Sequence, residues 1–190
     1  MPGAPTLAVG YTIDPAKLTG ASERSADLRP AWIEGVQPII TEFLTQRFAT
    51  EGAWMTDAPW APLAPATVEL RKRPGHGRGG IGRDLNRMWA SFVKSAGSTA
   101  APNGLLLIAP ERYERGSSLP YAQWFHAGYM SKTKPVQYEG QDGELHWTFV
   151  RRKAPKRIPA RPIIPDPLPP ALVDQVEAVV SAYVARGVTT

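Results

Sequence analysis

Proline and glycine are the residues that most constrain how this chain can fold. They number 20 and 17 among 190 residues. Proline removes a backbone donor and glycine weakens regular structure, so this frequency predicts many short elements joined by tight or stiff turns. A simple bundle of long helices is thereby excluded. The length is typical of one domain, and a hydrophobic content of 43% is too high for a disordered chain.

Several protein classes are disfavoured by what the sequence lacks. No apolar run approaches the ~18 residues that a membrane-spanning helix needs, so we expect no membrane partner. The first residues have neither the basic start nor the apolar core of a signal peptide. The chain contains 0 cysteines, which excludes disulfides, thiolate zinc sites and a cysteine nucleophile.

Hydrophobic periodicity predicts two long helices. Residues 30–51 carry apolar side chains at three- and four-residue steps. Gly35 and Pro38 interrupt this stretch, which predicts either a kinked helix or one whose regular part begins near Gln37. A second apolar stripe predicts a C-terminal helix over residues 169–187.

Shorter elements are predicted between these two helices. Helices are expected at residues 65–72, 81–89 and 120–127, the last ended by a glycine. Residues 91–96 and 105–109 are β-like and flank a turn-rich stretch, which predicts a hairpin with a long loop.

Alternation around a Gly-Gln-Asp-Gly turn predicts a second hairpin, over residues 136–149. Residues 154–170 are rich in proline and predict an extended, stiff arm. Residues 1–28 form an N-terminal arm with one alternating stretch, either an edge strand or a docking segment. Residues 29–187 then form a single α+β domain: two long helices on a small antiparallel sheet, with an extended hairpin and the proline-rich arm.

The sequence offers no convergent set of catalytic groups. His76, His126 and His146 stand in no metal-ligand spacing, and each is expected to be solvated or locally hydrogen-bonded. The glycine-rich stretch at residues 75–82 lacks the Lys-Ser/Thr pair of a P-loop and the strand context of a dinucleotide fold. No serine nucleophile elbow is present. We therefore expect no catalytic residues, no metal, no cofactor and no enzymatic activity; a hydrolase is the least favoured alternative.

The net charge of +5 comes from two short segments. Residues 71–83 and 151–161 hold 11 of the 22 basic residues and no acid, which leaves the rest of the chain at −6. Clustering of this kind points to a polyanionic partner, either DNA phosphates or an acidic protein face, while solvated loops remain an equal alternative. The absence of a helix-turn-helix or zinc module disfavours sequence-specific DNA reading. The candidates are Arg71, Lys72, Arg73, Arg78, Arg83, Arg151, Arg152, Lys153, Lys156, Arg157 and Arg161.

Four short strings occur in an order that resembles a known family. They are W-A-P-L-A-P-A-T (60–67), a hydrophobic-x-x-D-L-x-R-M segment (81–88), Y-A-Q-W-F-H-A-G (121–128) and I-P-A-R-P-I-I (158–164). In this order the chain resembles, over about residues 30–187, the Mu-like phage virion morphogenesis or tail completion family, whose members look related to tail-to-head joining proteins of long-tailed phages. The matching positions are Trp60, Pro62, Leu63, Tyr121, Ala122, Phe125, His126, Gly128, Pro159, Ala160, Arg161 and Pro162.

The resemblance implies a structural virion protein at the head–tail junction that acts by assembly, as a tail completion, terminator or neck ring protein. It also implies a ring of six copies around the DNA channel, with connector or tail tube proteins as neighbours and DNA phosphates as a further contact. The protein would be assembled in the host cytoplasm. Family members follow the P-A-R-P string with an aromatic residue and a glycine, where this chain has Ile163 and Ile164.

Interface or core positions are the two alternatives for the tryptophans. Exposed aromatic residues would serve a ring subunit as interface anchors, whereas buried ones would fill the core. We expect Trp124 in the core and leave Trp54, Trp60 and Trp147 open. A small DNA-binding protein that does not read sequence remains the alternative function.

Overall fold

The predicted α+β class is confirmed by a three-stranded antiparallel sheet, a separate two-stranded hairpin and two long helices. The computed structural model describes residues 7–12, 27–56, 58–72, 80–81, 86–139 and 145–186. The strands are β1 Leu7–Thr12, β2 Gly104–Ala109, β3 Arg112–Ser117, β4 Tyr129–Glu139 and β5 Leu145–Ile158. The helices are α1 Arg29–Ala31, α2 Gln37–Ala49, α3 Pro65–Arg71, α4 Arg87–Val93, α5 Pro120–Ala127 and α6 Pro170–Ala185.

The first long helix changes its winding at the interruption that the sequence predicted. Between α1 and α2 the backbone forms a π-helical turn, Trp32–Val36, and regular α-helix resumes at Gln37. Pro38 lies in the first turn of α2. The missing backbone N–H of a proline costs little there, because the first N–H groups of an α-helix have no acceptor within the helix. Of the two predicted alternatives, a regular helix that begins near Gln37 is the one observed.

Gly35 lies where the first long helix meets α6. A Cβ placed on Gly35 would be 2.2 Å from Cγ1 of Val179, well inside van der Waals contact. Only a residue without a side chain lets the two helices approach this closely. The β-branched Val179 has little rotamer freedom in a helix and cannot move aside at low cost.

We predict that Gly35→Ala lowers the free energy of unfolding by about 1–3 kcal/mol, the usual cost of inserting atoms into a packed contact. Adding Val179→Ala should restore most of this loss by removing the clashing methyl groups. Urea unfolding followed by circular dichroism measures both effects, with Val179→Ala alone as the control. A Gly35→Ala protein as stable as the wild type would show that the helices do not meet at this point.

The small sheet has the strand order β1-β3-β2, with β1 at one edge. β1 pairs antiparallel with β3 from Leu7 opposite Ser117 to Thr12 opposite Arg112. Of the two alternatives for the N-terminal arm, the edge strand is therefore the one observed for β1. Residues 1–6 and 13–26 lie outside the described part of the chain.

The predicted strand at residues 91–96 is wrong, because most of this segment belongs to α4 and the turn after it. The hairpin partner of β2 is β3. Buried Arg115 of β3 donates to the carbonyls of Phe92, Val93 and Lys94 at 2.5, 2.8 and 2.8 Å. These carbonyls have no partner within the helix, so a side chain distant in sequence caps it. Of the helix predicted at 81–89, residues 87–89 lie in α4 and Ile81 lies in a turn, while 82–85 are outside the described part of the chain.

The core lies between the sheet, the first long helix and α6. Trp32 is fully buried between the rings of Tyr11 and Tyr113, with centroids 6.5 and 6.4 Å away. The Tyr11 hydroxyl donates to Glu177 of α6 at 3.1 Å. Burial, followed by this contact with a carboxylate, raises the pKa of Tyr11 to about 12. β1 is thus tied to both long helices.

The extended segment predicted at residues 154–170 is confirmed where it lies in β5, and its later part packs on the core instead of standing apart as an arm. Residues 154–158 belong to β5, and the segment that follows runs against the core on its way to α6. Ile163, Ile164 and Pro169 are buried. The predicted extended backbone is observed over residues 154–158, and the buried apolar residues between the later prolines attach the rest of the segment to the body. None of the described helices is long and apolar enough to cross a membrane.

Candidate interaction site

Three of the four strings that carry the resemblance meet in space. Trp60 comes from the first, Phe125 from α5 and Arg161 from the segment after β5. The Trp60 ring is 5% exposed and packs edge-on against Phe125 and Phe48, with centroids 5.3 and 5.5 Å away. Its indole N–H donates to the carbonyl of Pro162 at 2.9 Å. Trp60 is therefore a core residue.

Arg161 belongs to this cluster, and its assignment as a DNA-facing residue is wrong. The side chain is 6% exposed. It donates to the carbonyls of Ala61 and Pro62 at 2.8 and 3.0 Å, and its guanidinium lies 5.6 Å from the centre of the Phe125 ring. A guanidinium can donate hydrogen bonds to several fixed carbonyls at once. A buried loop needs such a donor, because its carbonyls have no partners in a helix or sheet. Burial, the main cause, lowers the pKa of Arg161.

Arg47 of α2 completes the cluster, and the sequence reading did not identify it. The side chain is 1% exposed and donates to the carbonyls of Gly52, Trp54, Pro162 and Ile163 and to the hydroxyl of Thr56. Its guanidinium lies 5.9 Å from the centre of the Trp60 ring. Burial lowers the pKa of Arg47 to about 10, so it stays charged at neutral pH. One sequence signal was available, since Arg47 stands on the apolar stripe of its helix.

The loop after α2 is shaped to receive Arg47. Glu51, Gly52 and Met55 have φ angles of 49°, 92° and 59°, in the left-handed region. Such angles are costly for residues other than glycine and persist only where neighbours enforce them. They allow the carbonyls of Gly52 and Trp54 to converge on one guanidinium. We call Arg47, Trp60, Phe125 and Arg161 the arginine joint.

The arginine joint holds both roots of the β4–β5 hairpin. The Arg161 N–H donates to the carbonyl of Phe125 at 3.0 Å, which ties the chain leaving β5 to the helix before β4. Gly128 connects α5 to β4 at a φ of 73°, and a Cβ there would lie 2.7 Å from the carbonyl oxygen of Ile158. Three of the matching positions, Phe125, Gly128 and Arg161, thus fix the base of the hairpin.

The expectation that Trp124 lies in the core is wrong. Ala122 of α5 is fully buried and Phe125 faces the joint, whereas Trp124 is 55% exposed and its ring centroid is 6.4 Å from that of Tyr129. Tyr121 is also exposed. With 3.6 residues per turn, a short helix buries one face only, and α5 turns its indole outward.

His126 differs from its expected environment. Its Nδ1 is buried and accepts from or donates to no described group, so the expected local hydrogen bond is absent at that atom. Burial lowers the pKa of His126, nearby Arg47 adds to this effect, and Asp166 opposes it. His126 is therefore neutral at pH 7. His76 lies outside the described residues, and for His146 only the backbone position in β5 is described.

The second basic segment lies on the hairpin rather than on an arm. β4 and β5 pair from Tyr129 opposite Ile158 to Glu139 opposite Leu145, so the predicted hairpin is confirmed and extends further toward the body. A register shift lies between Ser131 and Thr133. Most of the basic side chains are exposed, and among the described hairpin residues Glu139 is the one acid. The cations are Lys132, Lys134, Arg151, Arg152, Lys153, Lys156 and Arg157.

Large apolar side chains are exposed on the same hairpin. Tyr129, Met130, Tyr138 and Phe149 are exposed, and Phe149 reaches 69%. The strands pair with each other, and no other described helix or strand packs extensively on them. Exposed aromatic residues next to arginines form the composition found at the centre of protein interfaces. The hairpin is therefore a candidate docking element; for Trp147 only the backbone is described.

The other residues that the sequence singled out as candidates are not brought together in one site. Arg71 and Lys72 lie at the end of α3, where Lys72 pairs with Glu69 at 2.6 Å. Arg73, Arg78 and Arg83 lie outside the described residues. Leu63 packs against the core, and Trp54 is exposed. Pro62, Pro159, Ala160 and Pro162 are exposed residues of the linking segments.

The described residues contain no group of three or more His, Cys, Asp or Glu side chains placed to hold a metal ion. Comparisons with family models, with curated proteins and with solved structures found no match.

Proposed function

We propose that this chain is a structural virion protein at the phage head–tail junction, a tail completion, terminator or neck ring subunit that acts by assembly. The observation that carries the proposal is the exposed β4–β5 hairpin, which presents both aromatic and cationic side chains. The arginine joint holds the two ends of this hairpin to the body. The order of the sequence strings that resemble the tail completion family supports it.

The dimensions of the hairpin suit a subunit that reaches its neighbour. β4 has 11 residues, and at ~3.3 Å per residue it extends roughly 35 Å. That is about twice the radius of gyration of roughly 16 Å expected for a compact chain of this length. A ring requires two different complementary surfaces on each copy, because its interface is heterologous. The hairpin supplies one of them.

Purified full-length protein tests the proposal. We expect light scattering to give a closed assembly whose mass is a small multiple of 20.7 kDa, with six copies favoured by the resemblance. Electron microscopy should show rings with a central channel. A protein that stays monomeric at every concentration tested, and forms no ring when mixed with virion proteins, would contradict the proposal.

A DNA-binding protein that does not read sequence is the second candidate, supported by the seven basic residues on the hairpin. Such a protein would contact phosphates, so its affinity should fall steeply with salt. Filter binding of duplex DNA from 50 to 200 mM salt measures this dependence. Micromolar binding by a monomer, with a steep salt slope, would favour this alternative; no binding at 50 mM salt would remove it.

A further inference from the structure

One face of the β4–β5 hairpin carries exposed aromatic and cationic side chains in a defined order. Residues two apart in a strand share a face, as do residues directly opposite across an antiparallel pair. Alternate residues of β4 from Tyr129 to Pro135 therefore share a face with their partners in β5. From the body toward the turn, the large exposed side chains of this face are Tyr129, Lys156, Arg151 and Phe149. We call it the Phe149 face.

Trp124 of α5 extends the Phe149 face at the body. Its ring centroid is 6.4 Å from that of Tyr129, and both rings are exposed. Phe149 lies opposite Pro135, six residues along β4 from Tyr129. At ~3.3 Å per residue, the two aromatic ends are roughly 20 Å apart. The face therefore has exposed rings at both ends and cations between them.

The cations between the rings have no counter-charge in the described part of the chain. Lys156 and Arg151 are exposed, and neither forms an ion pair with a described residue. The register shift places four residues of β5, 152–155, opposite Lys132 alone, and this bulge adds Arg152 and Lys153. Crowded cations repel one another, and a polyanionic ligand relieves that repulsion.

We propose that the Phe149 face binds a single-stranded polynucleotide. Bases stack on the Trp124–Tyr129 pair and on Phe149, while Lys156 and Arg151 bind the phosphates between them. Proteins that bind single strands without reading sequence combine the same two features, a basic path for the backbone and aromatic rings for the bases. The inference goes beyond the proposed assembly and does not depend on it. The opposite face of the hairpin, where Met130 is exposed, is left for a neighbouring copy.

The order of the side chains favours a polynucleotide over a protein partner. Aromatic residues and arginines occur at the centre of protein interfaces, but there the centre is apolar and the border is polar. The Phe149 face has the reverse order, with cations at its centre and rings at its ends. Alternation of rings and cations matches a chain that alternates bases and phosphates.

The exposed rings favour a single strand over a duplex. Contacts to duplex phosphates need cations and hydrogen-bond donors, and they give a phenylalanine that is 69% exposed no ligand. In a single strand every base offers a π-face on which an aromatic ring can stack. DNA and RNA single strands share this chemistry, so the test includes both.

Fluorescence anisotropy with the full-length protein at low salt tests the inference. The probes are labelled oligothymidylate and oligouridylate of roughly 20 nucleotides, longer than the usual single-strand sites of about 4–16 nucleotides, and a duplex of the same length. We expect at least one single strand to bind about tenfold or more tightly than the duplex. A preference between the two single strands would identify DNA or RNA as the ligand.

Variants of the Phe149 face separate stacking from phosphate contacts. Phe149→Ala and Tyr129→Ala should each weaken single-strand binding about fivefold or more, the effect of losing one stacked base, without changing the salt dependence. Arg151→Gln should reduce the slope of log affinity against log salt by about 0.7, since it removes one phosphate contact. Tyr138→Ala is the matched control, because Tyr138 is exposed on the opposite face, and it should bind like the wild type.

The outcomes distinguish this inference from the proposed function. Duplex binding as tight as single-strand binding, or full single-strand affinity in Phe149→Ala, would overturn the inference. Loss of subunit association in Phe149→Ala at unchanged single-strand affinity, measured by sedimentation velocity, would assign the face to a protein interface and overturn it too. A protein that forms rings but binds no single strand would overturn this inference alone. A monomeric protein that binds single strands would contradict only the proposed function.

Discussion

Trp60→Ala is expected to lower the free energy of unfolding by about 3–5 kcal/mol, the range measured when a buried aromatic side chain is truncated. Trp60 packs edge-on against Phe48 and Phe125 and donates to the Pro162 carbonyl. The room for its ring depends on Gly52, where a Cβ would lie 2.4 Å from the indole. The truncation therefore leaves a cavity in the arginine joint that rigid neighbours cannot close. Urea unfolding followed by circular dichroism measures the loss.

Trp124→Ala is the matched control, because the residue type is the same and the side chain is 55% exposed. Its expected cost is below about 1 kcal/mol, since its substitution opens no cavity. Equal losses for the two variants, or a larger loss for Trp124→Ala, would contradict the placement of Trp60 at the centre of the joint.

Arg47→Met is expected to lower the free energy of unfolding by about 2–4 kcal/mol, because each buried acceptor left without a donor costs about 1–3 kcal/mol. The guanidinium serves carbonyls from two distant segments, the loop after α2 and the Pro162–Ile163 stretch. Removing the buried charge offsets part of this cost. Arg47→Lys should also destabilise, because one ammonium cannot reach all of these oxygens. Urea unfolding measures both variants.

Arg151→Met is the control for Arg47→Met, since it removes an exposed arginine from the hairpin. Its stability should stay within about 0.5 kcal/mol of the wild type. An Arg47→Met protein at least as stable as the wild type would show that the buried charge costs more than its hydrogen bonds return, as occurs for some buried ion pairs.

Local patterns predicted the elements that depend on local physics. Gly35 and Pro38 predicted the interruption of the first helix, and the structure shows a π-helical turn there. Alternation predicted the β4–β5 hairpin, and the stop at Gly128 fits the observed end of α5. In each case the residues within one or two turns decide the backbone conformation, so a window of sequence contains the cause.

The failures share a different cause: a partner distant in sequence. Residues 91–96 resembled a strand, but Arg115 caps α4 from β3 and favours the helix. Arg161 belongs to a run of cations, which is typical of exposed segments. Its side chain is nevertheless buried and donates to the carbonyls of Ala61 and Pro62. A run of charged residues in the sequence does not show which distant backbone groups those side chains contact. The acceptors that bury Arg161 lie about 100 residues earlier, where no local window includes them.

Immunolabelling of phage particles for this protein tests the central proposal most directly. Gold-labelled antibody raised against the purified chain would be applied to intact particles, and to separated heads and tails, released by cells that encode the chain. The proposed function predicts label confined to the junction between head and tail, and retained on one of the separated parts. Particles without label that also lack the chain by mass spectrometry would contradict it.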